Sequence, residues 1–148
     1  MAEGTVQTIE IDAPAEACFQ VAADVAAYPE WATGVRSTEV LEVDEEGRPR
    51  RARFEVDAGV KVIRYVLRYT YDPPHRIEWE AEPGPDLEEL VGSYTFRDIG
   101  EGRTEVVYAL KARPRFSLPG FLRRQAEKQV VGTALRGLRR RVEELAAR

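Results

Sequence analysis

One cysteine, Cys18, and one histidine, His75, are all that 148 residues provide of the two commonest soft ligands and nucleophile partners. A lone thiol forms no internal disulfide, and one His with one Cys cannot assemble a Cys/His zinc set or supply the base of several catalytic triads. His75 sits in Pro73-Pro74-His75-Arg76, a turn sequence in which a histidine is solvated, and it is not nominated for catalysis. Long apolar runs are missing too. Nothing approaches the roughly 20 residues of a membrane-spanning helix, and Met1–Ile11 lacks a basic start followed by a hydrophobic stretch, so a cytoplasmic protein is expected. Any catalysis would fall to Tyr, Arg, Asp or Glu, and neither a cofactor nor a metal is expected.

What is present is an ordinary globular composition, 43% hydrophobic and 32% charged. With no linker, repeat or low-complexity stretch, residues 1–148 read as a single domain of common size. The net charge of −4 is unevenly divided, because residues 113–148 carry +7 and residues 1–112 carry −11. Only Lys61, Lys111 and Lys128 among the 22 basic residues are lysines, to which no functional weight is given.

Periodicity orders the elements. Thr5–Ile11 is a short strand, and Asp12-Ala13-Pro14 then provides a capping acid and a first-turn proline for a helix over Pro14–Asp24. Ala17, Cys18, Val21, Ala22 and Val25 draw its buried stripe. A short second helix or helix break follows at Tyr28-Pro29-Glu30-Trp31. The period then becomes two over Val35–Asp44, Arg50–Asp57, Lys61–Asp72, Arg76–Glu82, Leu87–Asp98 and Arg103–Ala112, with short Gly- and Pro-containing turns between: an antiparallel meander.

Parity gathers Phe54, Tyr65, Leu67, Tyr69, Tyr71, Ile77, Trp79, Gly92, Tyr94, Phe96, Val106 and Tyr108 on one face and charged residues on the other. From Phe121 a helix of about 26 residues, about 40 Å long, runs towards the C-terminus. Its expected inner positions are Phe121, Leu122, Gln125, Ala126, Gln129, Val130, Thr133, Ala134, Gly137, Leu138, Val142 and Leu145. The fold class is therefore α+β, a curved seven-stranded antiparallel sheet with two short helices after strand 1 and a long C-terminal helix across its concave side. Small and polar residues at mid-helix (Gln129, Gly132, Thr133, Gly137) point to a cavity between helix and sheet.

In this order the sequence resembles the helix-grip fold of the START/SRPBCC superfamily, in particular its polyketide cyclase/dehydrase and coenzyme Q-binding branches. The resemblance rests on Ile9-Glu10-Ile11-Asp12-Ala13-Pro14 leading into Cys18-Phe19, on Asp24 through Tyr28-Pro29-Glu30-Trp31, and on Gly102-Arg103-Thr104 entering the last strand. It implies a cavity with Tyr28 and Trp31 near the mouth. The expected ligand-lining residues are Trp31, Tyr65, Tyr69, Trp79, Tyr94, Tyr108, Gln129 and Thr133, several phenols on an apolar wall. Gln7, Ser37, Glu39 and Gln125 share the inner parity, and Glu39 is read as a strand-end residue open to water.

The resemblance also implies an inward Arg in polyketide cyclases on the strand matching residues 61–71. Tyr69 holds that place here, Leu67 replaces an expected serine, and Val35 replaces an expected aromatic hydroxyl. Binding or transport of a hydrophobic small molecule (lipid, isoprenoid or quinone, or polyketide-like) is therefore preferred over catalysis, with a polyketide aromatase/cyclase-dehydratase as the alternative. A third reading is a ribosome- or RNA-associated regulator acting through the basic C-terminal helix, as in ribosome-interfering toxins of the coenzyme Q-binding branch. Nucleic acid ranks behind a small molecule because no aromatic platform interleaves with those arginines. Phe116, Leu118 and Phe121, flanked by arginines, suit either transient insertion at an anionic membrane surface or plugging of the cavity from inside.

Overall fold

Alternation of apolar and charged residues produces strands at each expected place. The computed structural model describes residues 4–59 and 61–148. Met1–Glu3, at the start of the expected 1–148 domain and of the Met1–Ile11 segment, and Val60 lie outside the described residues. The order is β1 (Thr5–Ile11), α1 (Ala15–Ala23), a 3-10 turn (Val25–Ala27), α2 (Tyr28–Trp31), β2 (Val35–Val43), β3 (Pro49–Asp57), β4 (Val62–Asp72), β5 (Arg76–Ala81), β6 (Leu87–Gly100), β7 (Arg103–Pro114) and α3 (Gly120–Ala146). Every pairing is antiparallel, in the spatial order β1-β7-β6-β5-β4-β3-β2.

The convex face carries cross-strand charge pairs such as Arg51–Glu82, Arg68–Glu82, Arg64–Glu55 and Arg97–Glu105. Exposed pairs of this kind each add little stability, but they hold this face in water and so fix which side of the meander packs inward. On the concave face α3 packs on β1 and β7, with α1 and α2 bracing it. Its later turns bury Val131, Leu135, Leu138 and Val142.

Three local expectations are corrected. Asp12 does not cap α1, whose N-cap is Pro14 without a side-chain bond. Partners from elsewhere tie down the segment instead: Asp12 N donates to Glu143 Oε2 (3.0 Å) and Thr104 Oγ1 donates to Ala13 O (2.7 Å). In β2, register shifts reverse the parity, so Ser37, expected to face inward, is exposed while half-buried Thr38 donates to Val25 O (3.0 Å). Glu39 pairs with Arg53 in water.

The third concerns α3. Phe121, Leu122, Gln125, Ala126, Gln129 and Val130 were expected inside and are exposed. The buried face of this half is Glu127 and Val131. Glu127 Oε1 accepts from Thr5 Oγ1 (3.3 Å) and its Oε2 accepts from Ala112 N (2.9 Å), so the helix is keyed to β1 and β7 through a carboxylate. Hydrogen bonding, rather than apolarity, sets the rotation here.

Candidate functional site

The concave face is sealed at one end only. Where β1 ends and β7 begins, Ile11, Cys18, Thr104 and Val106 are 0% exposed and Phe96 and Ile77 1%. Toward the other end Tyr69, Trp79, Tyr94 and Tyr108 retain 5% to 8%, and Val56, Tyr65, Ala81 and Leu90 are only half-buried. The first two turns of α3 are exposed apart from half-buried Arg123. The inner surface of β3–β6 therefore opens toward the start of α3.

Strand register lays two rows across this surface. One runs Tyr69, Trp79, Gly92, Leu110, and the next runs Tyr71, Ile77, Tyr94, Tyr108. A Cβ on Gly92 would stand 2.4 Å to 2.5 Å from three atoms of the Trp79 indole. The absent side chain is what lets the indole lie over β6, where its ring meets Tyr94 at 5.3 Å and Tyr108 at 5.5 Å between centroids. Tyr94 and Tyr108 meet edge to face at 4.6 Å, and Phe54 stacks on Tyr65 at 5.4 Å. Trp31 meets Tyr28 at 5.2 Å and packs against Gly137 of α3.

The phenols divide by what their hydroxyls do. Tyr28 donates to Ala22 O, and Tyr71 donates to Pro49 O (2.5 Å). Among the described residues the hydroxyls of Tyr65, Tyr69, Tyr94 and Tyr108 have no hydrogen-bond partner, and none is a sealed polar atom, so each faces open volume. Burial raises the pKa of all four well above a free phenol, and neighbouring phenols raise it further at Tyr69, Tyr94 and Tyr108. They are protonated donors at neutral pH and poor bases.

Of the expected lining residues, Trp31, Tyr65, Tyr69, Trp79, Tyr94 and Tyr108 come together on this surface. Gln129 does not: it is exposed on α3. Thr133 is half-buried and its Oγ1 accepts from Arg136 at 3.4 Å. The small helix residues also have another role than the one expected. Gly137 makes room for Trp31, and Gly132 lies against Gln7 and Arg136. Sequence reasoning passed over the Gly92–Trp79 fit and the Glu127 key, although Gly92 on an otherwise bulky inner parity was a visible signal.

The rim is cross-tied by Asp86. Its carboxylate accepts from Lys61 Nζ (3.0 Å) and from Arg64 N (2.8 Å), and its carbonyl accepts from Arg115 N (3.0 Å). Lys61 also lies 5.4 Å from the ring centroid of half-buried Phe116. Phe121 is 63% exposed and does not plug the interior. Two grooves lie elsewhere: about 810 Å³ between α1, the β2–β3 turn and Pro73-Pro74, and about 430 Å³ on the convex face. No group of His, Cys, Asp and Glu among the described residues is arranged to hold a metal. No helix among them is long and apolar enough to cross a membrane.

A seven-stranded antiparallel sheet gripping a long C-terminal helix, with an aromatic concave surface opening at one end, defines the helix-grip, START-type class. The chain belongs to the family described as polyketide cyclase / dehydrase and lipid transport, which it matches over residues 4–148. A START superfamily protein from Mycobacterium smegmatis has the same fold, with a TM-score of 0.89 at 20% identity over 97% of this chain and 99% of that one. The granaticin polyketide synthase bifunctional cyclase/dehydratase of Streptomyces violaceoruber is 28% identical over 102 residues, 68% of this chain and 31% of that protein. The ribosome association toxin RatA of Pseudomonas aeruginosa is 33% identical over 97 residues, 66% of this chain and 65% of the toxin. The matched segments thus span less than two thirds of either curated relative.

Proposed function

We propose that this protein binds a hydrophobic small molecule on the concave surface lined by Trp31, Tyr65, Tyr69, Trp79, Tyr94 and Tyr108. The observation that carries this reading is the set of four phenol hydroxyls with no protein partner on a largely aromatic wall. Hydroxyls that reach open volume without a protein partner are free to bond a molecule from outside the chain, and a surface that gathers four of them offers such a molecule four donors on an apolar wall. Native mass spectrometry of freshly purified protein, followed by denaturing extraction, tests it. A stoichiometric apolar compound supports the reading. A clean protein mass left unshifted by a panel of lipids, quinones and polyketide-like compounds overturns it.

Cyclase chemistry is the second reading, favoured by the similarity to the granaticin cyclase/dehydratase. Here a protonated Tyr69 would polarise a carbonyl where a cation is missing. Abstraction of a proton would need a base that these phenols do not supply, and binding is therefore preferred.

Delivery at an anionic bilayer completes the proposal. Phe121, Leu122 and Val130 are 63%, 40% and 48% exposed at the opening, beside exposed Arg124 and Lys128 and half-buried Arg123. On a chain whose first 112 residues carry −11, only the basic C-terminal portion is attracted to such a surface. Co-sedimentation with vesicles containing anionic phospholipid, lost in Phe121→Ser/Leu122→Ser and absent with zwitterionic vesicles, is expected. Equal binding by that variant removes the membrane step and leaves the ligand reading standing.

A further inference from the structure

The groove of about 810 Å³ between α1, the β2–β3 turn and Pro73-Pro74 lies outside the sealed end of the concave face. Phe19 forms part of its wall, and the same ring packs edge to face on Tyr71 (6.1 Å) and Phe96 (6.0 Å), so an aromatic plug divides this groove from the concave surface. We propose that the groove is a second binding site, taking a short apolar peptide of three or four residues with both termini free. The proposal stands independently of any ligand on the concave surface.

Arg48 supplies the cation. Its guanidinium carbon stands 5.8 Å from the ring centroid of Phe19 and 5.9 Å from that of Tyr71, which fixes the half-buried side chain against the groove. Strand arginines such as Arg51, Arg53, Arg76 and Arg103 hold glutamates, whereas among the described residues Arg48 has no carboxylate partner. The acid nearest it on the turn, Asp44, accepts through Oδ1 from the backbone amides of Glu46 and Arg48 (both 2.9 Å). Glu45 and Glu46 are exposed and outside the lining. A positioned guanidinium with free donors receives a carboxylate.

The α1 wall carries the opposite charge. Glu16, Gln20 and Asp24 follow one another at four-residue spacing, all three are exposed, and among the described residues none of their side chains has a hydrogen bond or ion pair. From Glu16 to Asp24 the wall rises about 12 Å at 1.5 Å per residue. An extended peptide of three or four residues, at about 3.3–3.6 Å each, has the same reach. A plain anion would meet Glu16 and Asp24, and a plain cation would meet Arg48, so the ligand that satisfies all three is a zwitterion with its carboxylate on Arg48 and its ammonium at the acids. Gln20, which both donates and accepts, matches a peptide backbone between them. Apolar side chains then cover Phe19, Val40, Pro73, Pro74 and Val43, of which Val43 is 55% exposed.

Three forms of one peptide test this by titration calorimetry on the full chain: Leu-Ala-Leu, its C-terminal amide and its N-acetyl derivative. Leu-Ala-Leu should bind at least about tenfold more tightly than either capped form, as expected when one charge-assisted bond is removed. Free leucine, which has both charges without the reach, should also bind at least about tenfold more weakly. In Arg48→Gln the free peptide should fall to the affinity of the amide, with the amide itself unaffected; Glu16→Gln/Asp24→Asn should do the same for the acetyl form. Amide-nitrogen NMR shifts on adding Leu-Ala-Leu should centre on Phe19, Gln20, Asp24 and Arg48. The capped peptides act on the unaltered protein, so the outcome does not depend on a variant folding. Equal binding of the three forms, no binding by any, leucine binding as tightly as the peptide, or shifts centred on Tyr94 and Tyr108 would each overturn the proposal, and none of these results bears on whether the concave surface holds its own ligand.

Discussion

Adding one methyl group at Gly92 should displace the floor of the site. The alanine Cβ would lie 2.4 Å to 2.5 Å from Cε2, Cζ2 and Nε1 of Trp79, where carbon atoms in contact sit about 3.5–4.0 Å apart. The indole must withdraw by about 1 Å. Its rings are held by Tyr69 (6.2 Å), Tyr94 (5.3 Å) and Tyr108 (5.5 Å), so the movement propagates into the tyrosine group or bends β6 away from β5. Overpacking of this kind costs about 1–3 kcal/mol. For a chain of this length that lowers Tm by roughly 3–10 °C. Thermal unfolding of Gly92→Ala reads the stability, and tryptophan emission excited at the red edge in a Trp31→Phe background, where Trp79 is the sole tryptophan, reads the displacement. The decisive control is a double-mutant cycle. In a Trp79→Leu background, where the clashing ring is gone, Gly92→Ala should cost almost nothing, although Trp79→Leu is itself destabilising. A Gly92→Ala protein with unchanged Tm and emission, or an equal cost in both backgrounds, would refute the argument that the missing side chain exists for the indole.

Further outcomes are expected from other parts of the structure. Glu127→Ala strips the acceptor from Ala112 N and Thr5 Oγ1 and should lose about 1–3 kcal/mol in urea unfolding, while Glu127→Gln, which keeps an oxygen for the amide, should lose less; equal Cm values for all three proteins would contradict the key between α3 and the sheet. Tyr69→Phe should leave stability unchanged or slightly raised, because the hydroxyl it removes has no protein partner, and should weaken an oxygen-bearing ligand; a large drop in Tm would show that the hydroxyl is bonded after all. Burial pushes the Cys18 thiol up to about 11, so the native protein at pH 8 should react with a thiol reagent far more slowly than the urea-unfolded chain, and comparable rates would place Cys18 at the surface. Arg51 and then Arg68 hold the Glu82 carboxyl at about 2, below its ordinary 4.5. The folded value is the lower one, so this contribution is complete above pH 4.5 and is lost as pH falls toward 2. Solvent screening keeps it small. Glu82→Gln should therefore show a shallower loss of stability between pH 5 and about pH 2, and superimposable profiles would sink the assignment.

Much of this fold is local in origin. Alternation over Arg50–Asp57, Lys61–Asp72 and Leu87–Asp98 is written in single residues, because strand side chains change face at every step, and Tyr65, Tyr69, Trp79, Tyr94 and Tyr108 could be assigned inward from parity alone. The short turns between the runs left an antiparallel meander as the economical topology, and the apolar length after Pro119-Gly120 required a helix long enough to cross it. The sequence by itself thus determined the element order, the wet and dry faces, and an aromatic wall rich in phenols. What it did not determine depends on neighbours far along the chain. Register shifts in β2 turned Ser37 outward, since a bulge is decided by pairing with β3. The rotation of α3 followed Glu127's bonds to Thr5 and Ala112, over 100 and 15 residues away in sequence, and so left Gln129 and the Phe121–Val130 stripe in the open. Whether a phenol is spent on backbone, as in Tyr28 and Tyr71, or left for a ligand, as in Tyr69 and Tyr94, is likewise set by where a carbonyl happens to lie. Periodicity reports which way a side chain points, whereas only the assembled structure decides what it meets there.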